Sequence, residues 1–211
     1  MIEYDHEPIR GLPGDLPAGE AIIWQAAPDW RTFLRSALFA RGLAVYFAGL
    51  ALLALARGNL LGAAGIVGGG LVLQGLLALF AVLVARTTVY TLTNRRVVLR
   101  IGVALGKCIN LPLAQIAAAD LRLGADGHGE IALSLLGRPR LGYAMLWPHA
   151  RRWHLARPQP MLRALPDAAR LAESLARACA AVAPQQSPLR AAAERPVPNA
   201  EAPEVLQGAP A

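Results

Sequence analysis

Cysteine is scarce in this chain. Cys108 and Cys179 are the only two in 211 residues, and they form neither a CxxC pair nor a metal-like cluster. Both fall in the part read below as cytoplasmic, so no disulfide is expected. Charge is scarce as well, at 17%, against 55% hydrophobic residues. A soluble domain carries about a quarter charged residues, so this balance points to membrane spans. A basic leader is missing: the first 30 residues hold Glu3, Asp5, Glu7, Asp15, Glu20 and Asp29 against Arg10 alone, the reverse of a basic n-region, so no cleavable signal peptide is expected. Catalytic signatures are missing too. There is no P-loop, GxSxG, HExxH or GxGxxG in a strand–helix setting. Ser134 has no adjacent base, and the glycine-rich "GIVGGGLVLQG" lies inside an apolar run where it cannot cradle a phosphate. His149 and His154 are five apart, a spacing that shares neither a helix face nor a strand side. With His6 and His128 they lie outside the apolar runs, away from any carboxylate or cysteine cluster. Neither catalysis, nor a metal, nor a cofactor is expected.

What is present is two long apolar runs. The first, Ser36 to Ala56, is interrupted only by Arg41, whose long side chain can snorkel to the headgroups. The second, Asn59 to Ala85, has no charge at all. From Leu60 it would reach roughly 39 Å as a helix, more than a ~30 Å hydrocarbon core, an excess that tilt or a frayed start would absorb. The reading is a transmembrane hairpin over 36–86, with helices at 36–56 and 60–85. The "RGN" link forces the two helices antiparallel. Arg31, Arg35 and Arg41 precede the hairpin and Arg86, Arg95, Arg96 and Arg100 follow it, so both termini are expected in the cytoplasm. Gly65 and Gly69 have GxxxG spacing, which serves either packing within the hairpin or another membrane helix. Trp24 and Trp30, in the cytoplasmic segment 1–35, fit an interfacial belt or packing against the later domain.

After Thr87 the pattern changes. Val97, Leu99 and Ile101 alternate with Arg96, Val98 and Arg100, the period of a half-buried strand. "TTVYTL" and the turn "TNR" complete a hairpin over 87–101. Short strands are expected at 107–113, 118–123 and 130–136, with others around 141–147 and 152–155. An amphipathic helix follows over 166–183, with Leu171, Leu175, Ala178 and Val182 on one face. Residues 87–183 read as one antiparallel domain, and 184–211 as a disordered Pro/Ala-rich tail.

Residues 86–163 hold twelve Lys/Arg against Asp120, Asp126 and Glu130. Such a block beside a membrane is drawn to anionic headgroups, or simply keeps the domain soluble. Two sets of residues are candidates for a partner or lipid surface. One is Arg95, Arg96 and Arg100. The other is Arg138, Arg140, Trp147, Arg151 and Arg152, from an arginine–aromatic stretch of the type enriched at binding hot spots. A solvated barrel edge with two core tryptophans is the other reading of that stretch. The mixture also suits nucleic acid, but its place beside a membrane argues against that partner.

Strands closed by one C-terminal helix resemble a pleckstrin-homology-like (PH-like) barrel. Tyr90, Thr93, Arg95 or Arg96, and Gly102 resemble the signature of bacterial PH domains. With "LPAGEAIIWQAAPDW" before the hairpin and "RPQPMLRALPDAA" near the end, the chain over residues 10–182 is similar to the PuhB family. The resemblance implies a membrane protein of α+β class: a two-helix hairpin, then a PH-like β-barrel closed by an amphipathic helix. It implies assembly of the photosynthetic reaction centre and light-harvesting complex 1 in the cytoplasmic membrane, by contact with their subunits and without chemistry. A homo-oligomer stays open. Two alternatives remain: a generic membrane-anchored PH-like module binding anionic lipid or envelope proteins, and a small subunit of a transporter or membrane enzyme. The absence of charge within the apolar runs counts against the second.

Overall fold

The computed structural model describes residues 9–103, 106–124, 127–137 and 141–193. Strand β1 (Ile22–Ala26) comes first. Helix α1 (Trp30–Ser36) starts at Asp29, whose carboxylate accepts the Thr32 N–H at 2.8 Å and so satisfies one of the helix's unpaired donors. The helix stops because Phe39 adopts φ 54, a left-handed conformation uncommon for a bulky residue, and α2 (Ala40–Ala56) leaves at 57° to α1. The helix expected over 36–56 is α2, which starts later, at Ala40, and meets α1 at a bend. Gly58, at φ 73, turns the chain. Asn59 then accepts the Gly62 N–H at 2.7 Å and opens α3 (Leu60–Thr87).

Helix α3 is long and apolar enough to cross a membrane, and α1 with α2 passes the same test as a bent pair. Val45, Leu60, Leu61, Leu71 and Val72 all point outward from the hairpin. Where α2 and α3 touch, Ala51, Ala63 and Gly70 are buried, and a Cβ on Gly70 would meet the Phe47 side chain at 3.1 Å. Gly65 and Gly69 have open space around them. Their reading as hairpin-packing positions is overturned for a reason of period: Ala63 and Gly70 are two turns apart on one face, and Gly65 and Gly69 lie round the side. The excess length of α3 is not absorbed by fraying. Its last two turns bury Ala81 and Val84 against Phe33 of α1 and Ala164.

Beyond α3, strands β2 (Val89–Thr93), β3 (Arg96–Ile101) and β4 (Lys107–Pro112) join β1 in an antiparallel sheet of order β1-β2-β3-β4. Strands β5 (Ile116–Leu123), β6 (Gly129–Leu135) and β7 (Met161–Leu165) form a second antiparallel sheet. The expected closed barrel is corrected to these two sheets. The first ladder ends at Pro112, which has no N–H to donate, and a 3-10 turn over Leu113–Gln115 carries the chain to the second. Because Trp24 pairs with Leu92 and Ala26 with Tyr90, the helices are an insertion between the first two strands of one sheet. A division of the chain at residue 87 therefore cuts through that sheet.

The strand expected at 141–147 is instead a short helix, α4 (Tyr143–Leu146), and no strand forms at 152–155. Strand β7 escaped the sequence reading because all five of its residues are buried, which removes the period-two signal. Helix α5 (Ala168–Ala193) runs past Ala183 into the segment read as tail; residues 194–211 lie outside the described part. The core packs Leu92, Leu99 and Leu111 of the first sheet, Ile131 and Leu133 of the second, and Leu171 and Leu175 of α5.

Candidate interaction surface

Tyr90 projects from β2 into the core and is fully buried, as is His149. Its hydroxyl lies 2.7 Å from His149 Nδ1, and the imidazole Nε2 lies 3.4 Å from Thr88 Oγ1. The Arg163 backbone N–H donates to the same hydroxyl at 3.2 Å. Burial, reinforced by the nearby Arg163 charge, lowers His149 to about 3, so it is neutral at any physiological pH. Burial likewise raises Tyr90. Arg163 completes the cluster, donating to Glu130 at 3.2 Å and to the Ala150 carbonyl at 2.8 Å. The cluster ties α3's end, β2, β6 and β7 together. Tyr90 and His149 are shut off from solvent, while Arg163 and Glu130 border a cleft, so the cluster is an internal brace with one polar edge.

Thr93 is equally internal. Its hydroxyl accepts the N–H groups of Arg95 and Arg96 at 3.2 and 3.0 Å, closing the β2–β3 turn, and donates to Glu20 Oε1 at 2.8 Å. Glu20 receives Arg96 bidentately, Nε at 2.8 Å and an η nitrogen at 3.1 Å. Burial alone would raise the Glu20 carboxyl, but the hydrogen bonds from Arg96 and Thr93 and the charges of Arg96 and Arg95 hold it below the usual range. Gly102, at φ 122, ends β3 in a conformation that favours glycine. The signature positions therefore build the hairpin and bind the N-terminal segment to it.

The candidate surface residues divide. Arg100 is 7% exposed, because the N-terminal segment covers the outer face of β2 and β3, where Leu12 is buried and Gly11 approaches Val89. Arg100 is thus withdrawn from the proposed surface. Arg96 is held by Glu20, and Arg95 is exposed with its guanidinium near the Ala18 carbonyl. Arg138 and Arg140 lie outside the described residues. Arg151 pairs with Asp120 and Gln159. Arg152 donates to the Ser36 carbonyl at the C-terminus of α1, and its guanidinium lies 3.7 Å above the Phe39 ring. It therefore buttresses the α1–α2 bend. Trp147 is 55% exposed and stacks on Phe80 of α3, ring centres 5.6 Å apart. Trp153, part of the arginine–aromatic stretch but outside the candidate set, is 92% exposed, and Leu155 is 66% exposed.

A cleft of about 670 Å³ lies on the outer face of β5–β7 against α1, where Arg122, Arg151, Arg152 and Arg163 face Asp120 and Glu130. Among the described residues, no group of three or more His, Cys, Asp or Glu could hold a metal ion.

Comparison with known proteins gives three likenesses. A family model described as Bacterial PH domain matches residues 38–178. A Rhodobacter capsulatus protein, described as an uncharacterized 23.7 kDa protein in the puhA 5′ region, is 38% identical over 196 residues, 85% of this chain and 88% of that protein. A solved structure of a DUF1696-family protein with a pleckstrin-homology domain, from Shewanella loihica, is 14% identical; it covers 44% of this chain and 70% of its own, at a TM-score of 0.31.

Proposed function

The chain belongs to the bacterial PH domain family, and from that premise we propose that it is a non-enzymatic assembly factor for photosynthetic reaction-centre and light-harvesting 1 complexes. It acts from the bacterial inner membrane by binding subunits of those complexes. The observation that carries this reading is the place of the Rhodobacter capsulatus relative, beside puhA, which we take as a photosynthesis gene neighbourhood. The outward-facing leucines of α2 and α3 support two membrane spans, since a soluble protein would not leave them in water. Arg31, Arg35, Arg41, Arg86 and Arg95 at one end of the hairpin, against Arg57 at the other, support cytoplasmic termini.

Headgroup binding as the main function draws less support. Arg96, Arg151 and Arg163 are engaged by Glu20, Asp120 and Glu130, and Arg100 is buried. Affinity purification of the tagged full chain from phototrophically induced cells tests the proposal. Reaction-centre or core-antenna subunits should co-purify, enriched over the same membranes carrying an untagged chain. Recovery of the chain with envelope proteins alone would sink the assembly role.

A further inference from the structure

We propose that the loop from Trp147 to Leu155 is a foot seated in the headgroup layer of the same membrane, with Trp153 and Leu155 as the side chains that enter it. This rests on the reading of α2 and α3 as spans. The level of the membrane surface follows from how the helices are aligned. The Gln74 side chain donates to the Ala40 carbonyl at 2.7 Å, so α2 begins level with Gln74 and α3 continues well past it. From Phe80 onward α3 is engaged by the domain, with Ala81 and Val84 buried against α1. The stretch left to the lipid, Leu60 to Leu79, is about 30 Å long as a helix, the thickness of a hydrocarbon core. The headgroup layer therefore lies near Phe80.

The loop is pinned at two heights, one at that level and one about a turn and a half deeper, where α2 begins level with Gln74. Trp147 stacks on Phe80, and Arg152 sits over Phe39 at the start of α2. Between these anchors a shallow groove of about 300 Å³ is lined by Ala37, Phe39, Trp147, Arg152, Trp153 and Leu155, so the apolar surface of the hairpin continues onto the loop. Trp153 is held outward with its backbone at φ 64, a conformation that large side chains rarely adopt, and no described part of the chain covers it. Indole is among the groups most favoured at a bilayer interface. The charge is complementary as well. Arg35, Arg41 and Arg157 are exposed nearby, and the sequence from Ile131 to Pro166 has no Asp or Glu. A bilayer with anionic phosphates matches this apolar tip and its cationic rim.

The test uses the full chain reconstituted into phosphatidylcholine–phosphatidylglycerol vesicles, with quenchers carried at the headgroup, upper-chain or mid-chain position. One variant keeps Trp153 alone (Trp24→Phe, Trp30→Phe, Trp147→Phe). A second adds Tyr46→Trp to a chain whose four native tryptophans are phenylalanine, and reports the hairpin. A third, Trp153→Ser in the otherwise native chain, changes only an exposed residue. Trp153 should emit at shorter wavelength than in water and be quenched severalfold more by headgroup or upper-chain labels than by mid-chain ones. Trp153→Ser should lose Trp153's share of the shallow quenching and keep the share of Trp147, which stacks on Phe80. If position 46 is quenched by mid-chain labels and Trp153 is untouched by all three, the foot is wrong and the hairpin stands. Blue-shifted but unquenched Trp153 would mean a protein covers it, which also overturns the proposal. If neither position is quenched, the membrane reading falls and the foot with it.

Discussion

The β2–β3 hairpin and the loop from Trp147 to Arg157 are built from the same residue types, arginine beside aromatic, and they use them in opposite directions. In the hairpin, Tyr90 points into the core, Arg96 is clamped by Glu20 and Arg100 is buried. In the loop, Trp147 and Trp153 face outward, and Arg152 braces a helix bend from outside. The difference lies in what covers each segment. The hairpin sits mid-sheet under the N-terminal segment, whereas the loop joins two sheet elements at the hairpin's foot. A basic, aromatic sequence thus marks a surface only where no other element covers it.

The sharpest way to break this contrast is Arg163→Met, which leaves Glu130 buried without its cation. It should cost about 3–5 kcal/mol, read by denaturant unfolding of the detergent-solubilised chain. Next comes acid. His149 is held neutral with its pKa lowered to about 3, so the unfolded chain binds more protons than the folded one between that value and about 6.5. Stability is therefore full above pH ~6.5 and falls by roughly 1.4 kcal/mol for each unit below it, down to the folded value. His149→Gln should flatten that slope, although it lowers the starting stability; an unchanged slope would assign the acid sensitivity elsewhere.

Glu20→Gln sharpens the comparison from the other side. It removes the charge that holds Arg96 and Thr93, at a cost of about 1–3 kcal/mol, and should expose residues 9–20 to protease before the sheet unfolds. A smaller effect separates the glycines. Gly70→Ala should cost about 1 kcal/mol through crowding of Phe47, while Gly65→Ala and Gly69→Ala leave the thermal midpoint in detergent where it was. The smallest effect belongs to Arg95→Ala. This exposed arginine should change stability by under about 0.5 kcal/mol. Any loss of complex assembly in that variant would then report contact, not folding.

Much of this was legible in the sequence because it rests on local pattern. The apolar runs, the strand pair after Thr87 and strands β4 to β6 follow from hydrophobic period and turn residues. The remainder depends on partners far apart in sequence. Glu20 and Arg96 meet only because β1 and β2 are neighbours across the inserted helices. That same cover buries the outer face of β3, so Arg100 alternates like a surface residue yet is not one. The break at Phe39 is a backbone conformation with no glycine to announce it, and β7 has no alternation to read. Trp153 was hidden by its neighbours: in "ARRWHL" nothing distinguishes an exposed tryptophan from a core one.

The assembly role is tested most directly by the near-infrared absorption spectrum of membranes from the native host with this gene deleted. The account predicts selective loss of the reaction-centre and core-antenna bands while pigment synthesis continues, with recovery when the full chain is restored. An unchanged spectrum, or a host that makes no bacteriochlorophyll, would contradict it.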